Sequence, residues 1–285
     1  MVARGVVHQA AMHHFCGMGA PWCRCRTSGG GVCFARSGCR ITNGQGVVLA
    51  RRTQYGILRH VTAAGLRLAV NWYRVVPTRP GKQEDGKYIS YLLQPEKYRH
   101  YDPELFDCLA GIVHGGERSI EEIEGSGVLS ARFFSDTLIP ADRSAWHQAA
   151  LLGTVGAEVM FLDPDNGLES AKMHQTGSAQ EKHTTWQEVK DYYDLGQSVI
   201  LYQHRPQMTK KEVCIQGVMD FQDSFLHADR TLLLEYPRYT NRYYFFFVHQ
   251  NHLPILETVY RSVAENWAGL CIPIEICCLS GDHRS

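Results

Sequence analysis

The stretch Val159–Ser170, VMFLDPDNGLES, ends an apolar run in a set of chemically useful side chains. Asp163, Asp165 and Glu169 form a D-x-D-x-x-x-E pattern, with Asn166 and Gly167 after the second acid. Carboxylates spaced in this way can hold Mg²⁺ or Mn²⁺, which favour oxygen ligands. Asp-Pro and Asn-Gly are also ordinary turn formers, so the same residues read equally as a loop. A second cluster, Tyr202-Gln203-His204-Arg205, ends the run SVILYQHR. There His204 has the chemistry of a general base or a phosphate contact, and Tyr202, Gln203 and Arg205 are placed to bind substrate. Asp163, Asp165, Asn166 and His204 form the candidate catalytic set.

Both clusters need buried strands to carry them. AEVMFLD and SVILYQH are almost continuously apolar, as expected of parallel strands covered on both faces. Ligands of open α/β sheets bind outside the carboxyl ends of such strands. The two clusters therefore face one pocket if their strands are neighbours. Upstream, YGILRHVTAAGL reads as a helix, RLAVNWYRVVP as a strand stopped by Pro77, and KYISYLL as a short strand. Trp72 and Tyr73 in that first strand read as core. DPELFDCLAGIVHGG reads as a helix capped by Asp102, and DRSAWHQAALLGTVG as one capped by Asp142. ARFFSDTLI is a strand, and TTWQEVKDYYDLGQ and TKKEVCIQGVMDFQDSF are helices. RTLLLEYP and RYYFFFVHQ form an antiparallel pair, followed by the helix LPILETVYRSVAENWAGL and the strand CIPIEIC. The alternation predicts an α/β fold: a Rossmann-like, mostly parallel sheet with helices on both faces and an antiparallel strand pair near the C-terminus.

Charge divides the chain of 285 residues unevenly. No Asp or Glu precedes Glu84, and residues 1–83 carry eleven Arg and one Lys. Residues 1–53 hold five cysteines, no acid and no sustained helical or strand period. They are expected to be a disordered or spurious N-terminal extension, with residues 54–285 the single Rossmann-like domain. Cys108, Cys214, Cys271, Cys277 and Cys278 sit in apolar surroundings, as buried thiols of a cytoplasmic protein do. No stretch of 18 apolar residues is present, so no membrane span is expected.

Two resemblances add to this reading. From Gln54 onward, VNWY, DGKYISYL, FLDPDNGLE and YQHR are similar to elements of an uncharacterised bacterial and phage protein family, which brings no activity with it. More distantly, Asp163-Pro164 after its apolar strand resembles the Asp-Pro-Pro-Tyr motif of Rossmann-like, amino-methylating nucleic-acid methyltransferases. The helix with ILRH before the first strand is similar to a Lys-His helix in a ribosomal-RNA adenine methyltransferase family. An antiparallel pair near the sheet's end is a feature of the same fold. The resemblance implies a methyltransferase-like protein acting on nucleic acid or a nucleotide, with S-adenosylmethionine as cofactor. Asp163 would orient a target amine, and Gly81, Asp85, Gly86 and Lys87 of PTRPGKQEDGK would bind the cofactor. Asp165 and Asn166 replace the motif's second proline and its aromatic.

The alternative is a metal-dependent phosphoryl-transfer enzyme of nuclease or Toprim type, with Asp163, Asp165 and Glu169 as ligands to Mg or Mn. Such a site also needs a Glu on an earlier strand, and Glu124 lies in a stretch that reads as helix. A non-catalytic binding protein on a decayed enzyme fold is the third reading.

Overall fold

The computed structural model describes residues 22–26, 32–36, 52–75, 87–116, 119–177, 180–237 and 241–276. The chain divides into two compact units, Met1–Ile41 and Thr42–Ser285. In the first, Trp22–Arg26 (β1) pairs antiparallel with Val32–Arg36 (β2). The remainder of the predicted N-terminal extension, up to residue 51, lies outside the described residues.

The second unit opens with α1 (Arg52–Ala63), whose Ile57, Leu58 and Val61 recur at helical spacing and are buried. Arg52 and Thr53 belong to this helix and are buried in the folded unit. The folded unit thus includes two residues assigned above to the extension. The strand β3 (Leu68–Asn71) follows and is fully buried. It stops six residues short of Pro77, because the Asn71 side chain takes the N–H of Tyr73 out of any ladder. The expected strand KYISYLL is a 3₁₀ helix, Lys87–Leu93. Ile89, Tyr91 and Leu92 all pack on one core, which a strand's alternation would forbid for adjacent residues. Short helices follow in α2 (Pro95–Tyr98) and a 3₁₀ turn at Arg99–Tyr101. Asp102 caps α3 (Pro103–His114), its carboxylate accepting the Leu105 N–H at 3.0 Å. Ser119 caps α4 (Ile120–Gly125), which leads to β4 (Ala131–Phe134).

The cap predicted for α5 (Arg143–Gly153) is absent: Asp142 ends a 3₁₀ turn and its side chain makes no capping bond. Next come β5 (Val159–Leu162), the two-residue strand β6 (Gly167–Leu168), α6 (Ala171–Thr176) and β7 (His183–Thr184). A capping box of Thr185 and Glu188 starts α7 (Trp186–Asp194). Then follow β8 (Ser198–His204), α8 (Lys211–Phe221), β9 (Arg230–Tyr236), β10 (Arg242–Val248), α9 (Leu253–Asn266) and β11 (Ile272–Ile274).

The main sheet has seven strands in the order β4-β3-β5-β8-β10-β9-β11. β4, β3, β5 and β8 are parallel neighbours. β10 is antiparallel to both β8 and β9, so β9 runs with β8 and one reversed strand is inserted between them. β11 is antiparallel to β9. This is a Rossmann-like α/β fold. Side chains alternate between two cores, one on each face. Tyr244, Phe246 and Val248 of β10 face one core, while Tyr243, Phe245 and Phe247 face the other. The aromatic run therefore supplies both layers. Among the described residues, no helix is long and apolar enough to cross a membrane.

From β3 the chain crosses first to β4 on one side and then to β5 on the other. That reversal makes a switch point between β3 and β5, where open α/β sheets form a crevice at the strands' carboxyl ends.

Candidate active site

Asp163 stands at this switch point. It is buried, and its N–H donates to the Asn71 carbonyl across from β5 to β3 at 3.0 Å. β5 and β8 pair through Leu162 and Leu201, so Asp163 lies level with Tyr202 and His204 ends the neighbouring strand at the same rim.

Beyond Asp163 the loop is held from two sides. Asn166 donates its N–H to the Lys182 carbonyl, and Glu169 donates its N–H to the Thr184 carbonyl, at 2.9 and 2.8 Å. On the other side is Gln203, whose Oε1 accepts the Leu168 N–H at 2.8 Å. Its Nε2 donates to the carbonyls of Asn166 and His204 at 3.3 and 3.0 Å. Gly167 lies directly against this amide with φ +97. A Cβ there would sit 2.3 Å from Gln203 Oε1.

These contacts revise several expectations. Gln203 spends its amide on the loop backbone, so it positions the loop and is not free to bind substrate. Tyr202 points into the core, edge-on to Tyr244 at 5.9 Å, and is also removed from the substrate set. Glu169 is buried, and its carboxylate accepts the Trp186 N–H at 2.7 Å and contacts His174 Nδ1 at 3.2 Å. It anchors the start of α7, away from a metal role with Asp163 and Asp165. Among the described residues no three His, Cys, Asp or Glu side chains cluster as metal ligands. Asp165 is exposed and pairs with Lys182 at 3.4 Å. Arg205 is half-buried, donating its N–H to the Asn241 carbonyl and its guanidinium to the Thr209 carbonyl. Gly81, Asp85 and Gly86 lie outside the described residues, and Lys87 opens the 3₁₀ helix. Glu124 is on helix α4, where it accepts the Trp72 indole N–H at 2.8 Å and the Ser135 hydroxyl.

The turn after β3 was not foreseen. Tyr73 has φ +48, a left-handed conformation uncommon for a large side chain. The Asn71 Oδ1 accepts the Tyr73 N–H at 3.0 Å, and Asn71 Nδ2 donates to the Tyr192 hydroxyl at 3.2 Å. The Tyr73 hydroxyl pairs with Thr184 Oγ1 at 2.6 Å and donates to Glu188 at 3.2 Å. Burial first, then the Glu188 carboxylate, pushes the Tyr73 pKa well up, so the phenol stays protonated. Arg143 completes the network with two bonds to Glu188, at 2.6 and 2.8 Å, and one to the His183 carbonyl at 2.6 Å. Asp136, just beyond β4, offers an exposed carboxylate at the same rim. An acid near the end of a strand beside the switch point was the available signal for Asp136.

Burial depresses the pKa values of two histidines, His183 beside the site and His252 at the opposite, amino-terminal rim of the sheet. Burial, followed by the nearby Arg143 charge, lowers the His183 pKa below its ordinary 6.5. Burial also lowers that of His252, whose Nδ1 pairs with the Ser198 hydroxyl at 2.9 Å. A depressed histidine pKa means that folding favours the neutral ring. The associated stability is present above the unfolded value of 6.5 and is lost as pH falls below it. Thermal midpoints measured across that window should fall with acidification. His183→Gln and His252→Asn should each flatten the profile, whereas an unchanged slope in both would contradict this assignment.

No family model matches the chain, and no curated protein matches it. Among solved structures it is similar to protein LPL1258 from Legionella pneumophila str. Philadelphia 1, of the family DUF519. The two are 12% identical, the match covers 82% of this chain and 97% of that one, and the TM-score is 0.45.

Proposed function

We propose that the protein is methyltransferase-like and acts on nucleic acid or a nucleotide, with S-adenosylmethionine as cofactor. The observation that carries this reading is the position of Asp163-Pro164 at the carboxyl end of β5, beside the switch point and tied to β3. The reversed strand β10 between β8 and β9 supports it.

The rim suits such a cofactor in two respects. The Tyr73 turn has the positive φ usually given to glycine where a ligand approaches backbone, and its side chain is withdrawn to Thr184 and Glu188. The Asp136 carboxylate suits the two hydroxyls of a ribose. When bound, the cofactor supplies an electrophilic methyl group. Asp163 would accept an N–H of the target amine and hold its lone pair toward the reacting centre. His204, on the adjacent strand, would take the proton that the amine releases. Gln203 and Gly167 keep the Asp163 loop in place while this happens. The exposed Asp165 and half-buried Asn166, in place of proline and an aromatic, leave the target less stacked and favour recognition through polar contacts.

The test is transfer of a labelled methyl group to RNA, DNA and nucleotides by the parent and by Asp163→Asn. The parent should transfer label, and Asp163→Asn should lose about 100-fold or more, the size of a lost transition-state contact, with little change in melting temperature. Equal transfer by the two proteins would remove Asp163 from the mechanism.

A further inference from the structure

One corner of the carboxyl rim collects buried donors with no acceptor. α1 precedes β3 and runs back along the sheet, so its first residue, Arg52, lies at the strands' carboxyl ends. The Arg52 residue is only 5% exposed. Its guanidinium carbon lies 4.6 Å from the ring centroids of both Tyr91 and Tyr98, 5.5 Å from Trp267 and 5.6 Å from Tyr101. Rings in such contacts cover the face of a guanidinium and leave its in-plane N–H edges unused. Arg52 Nη1 is buried without a hydrogen-bond partner, and so is the indole Nε1 of Trp267. Among the described residues no carboxylate pairs with Arg52, and the first turn of α1 contains no acid. The acid-free stretch noted in the sequence makes this sharper, since residues 1–83 contain no Asp or Glu.

Burial lowers the Arg52 pKa, and the surrounding tyrosines only partly counter it. An uncompensated buried cation is a poor way to stabilise a fold, because apolar replacements of buried charges are often neutral or stabilising. Its geometry instead suits recognition. Stacked rings fix the plane of the guanidinium fork, which matches the paired oxygens of a carboxylate or phosphate. The N-terminus of a twelve-residue helix adds positive potential at the same place.

We propose that Arg52, walled by Tyr91, Tyr98, Tyr101 and Trp267, is an oxoanion-binding site of the phosphate or carboxylate class. The site is separate from Asp163 and does not rest on the methyltransferase reading.

The test uses the full chain, with its thermal and urea unfolding followed in sodium chloride, sodium phosphate and sodium acetate at matched ionic strength. Phosphate or acetate should stabilise the parent beyond chloride, by roughly tenfold in the folding constant at an anion concentration ten times its Kd. A response to phosphate alone assigns a phosphate ligand, and one to acetate a carboxylate. Arg52→Met fills the cage without charge, so it should lose the anion response and be at least as stable as the parent in chloride. Trp267→Phe keeps a ring but removes the indole donor, and should weaken the response. The proposal is overturned if neither anion acts on the parent beyond chloride, or if Arg52→Met responds as the parent does. It is also overturned if Arg52→Met is markedly less stable in chloride, which would make Arg52 a structural anchor.

Discussion

Arg143→Met is expected to cost about 3–5 kcal/mol, the range for removing one partner of a buried ion pair. The Glu188 carboxylate it abandons has a side chain only 5% exposed. That carboxylate also takes the N–H of Thr185, at 3.0 Å, and the hydroxyls of Thr184 and Tyr73. These neutral donors cannot replace a guanidinium held by two bonds. The damage should spread in a definite direction. Arg143 also donates to the Gln180 and His183 carbonyls, so β7 loses its outer support. Tyr73 then loses part of what holds its left-handed turn at the switch point. Urea unfolding measures the loss, and hydrogen exchange at residues 71–75 and 183–188 locates it. A cost below about 1 kcal/mol, as for a surface pair, would show that Glu188 is better solvated than its burial implies.

Gly167→Ala should cost about 2–5 kcal/mol, from two separable causes. A non-glycine residue at positive φ costs about 1–2 kcal/mol, and inserting a methyl into filled space costs about 1–3 kcal/mol. The filled space is the Gln203 amide, 2.3 Å from the new Cβ. Gln203 cannot swing aside without releasing the Leu168 N–H and the Asn166 carbonyl. The Asp163 loop should therefore shift, and the functional loss should exceed the stability loss. A double-mutant cycle with Gln203→Ala separates the causes, because that background removes the clash and keeps the φ cost. Full additivity between the two changes would mean that the clash relaxes elsewhere.

The strands that carry the site could be read from composition. VMFL and SVILYQ are apolar at every position because both faces of β5 and β8 are covered, and the rim position of Asp163 and His204 follows from that. The roles of the polar residues could not be read in the same way. Glu169 has the spacing of a metal ligand, but its carboxylate meets the Trp186 N–H, a partner that appears only once β6 lies beside β7. Those strands are two residues long, too short to show any alternation. Gln203 looked like a substrate contact because nothing local shows that Gly167 will press against it. The Tyr73 turn was hidden for a similar reason. Its φ is set by Asn71 two residues earlier and by Thr184 and Glu188 far along the chain, where a sequence signature would have required glycine. KYISYLL misled because its β-branched and aromatic residues pack on one core as a helix does.

Titration of the full chain with S-adenosylhomocysteine in a calorimeter tests the central claim most directly. It asks for cofactor binding without requiring that the methyl acceptor be known. The account predicts one saturable site per chain, binding that survives Asp163→Asn, and binding weakened at least tenfold by Asp136→Ala as the ribose loses its carboxylate partner. No measurable binding by the parent, together with stabilisation by Mg²⁺ or Mn²⁺ that Asp163→Asn abolishes, would contradict the account and turn the same rim to phosphoryl-transfer chemistry.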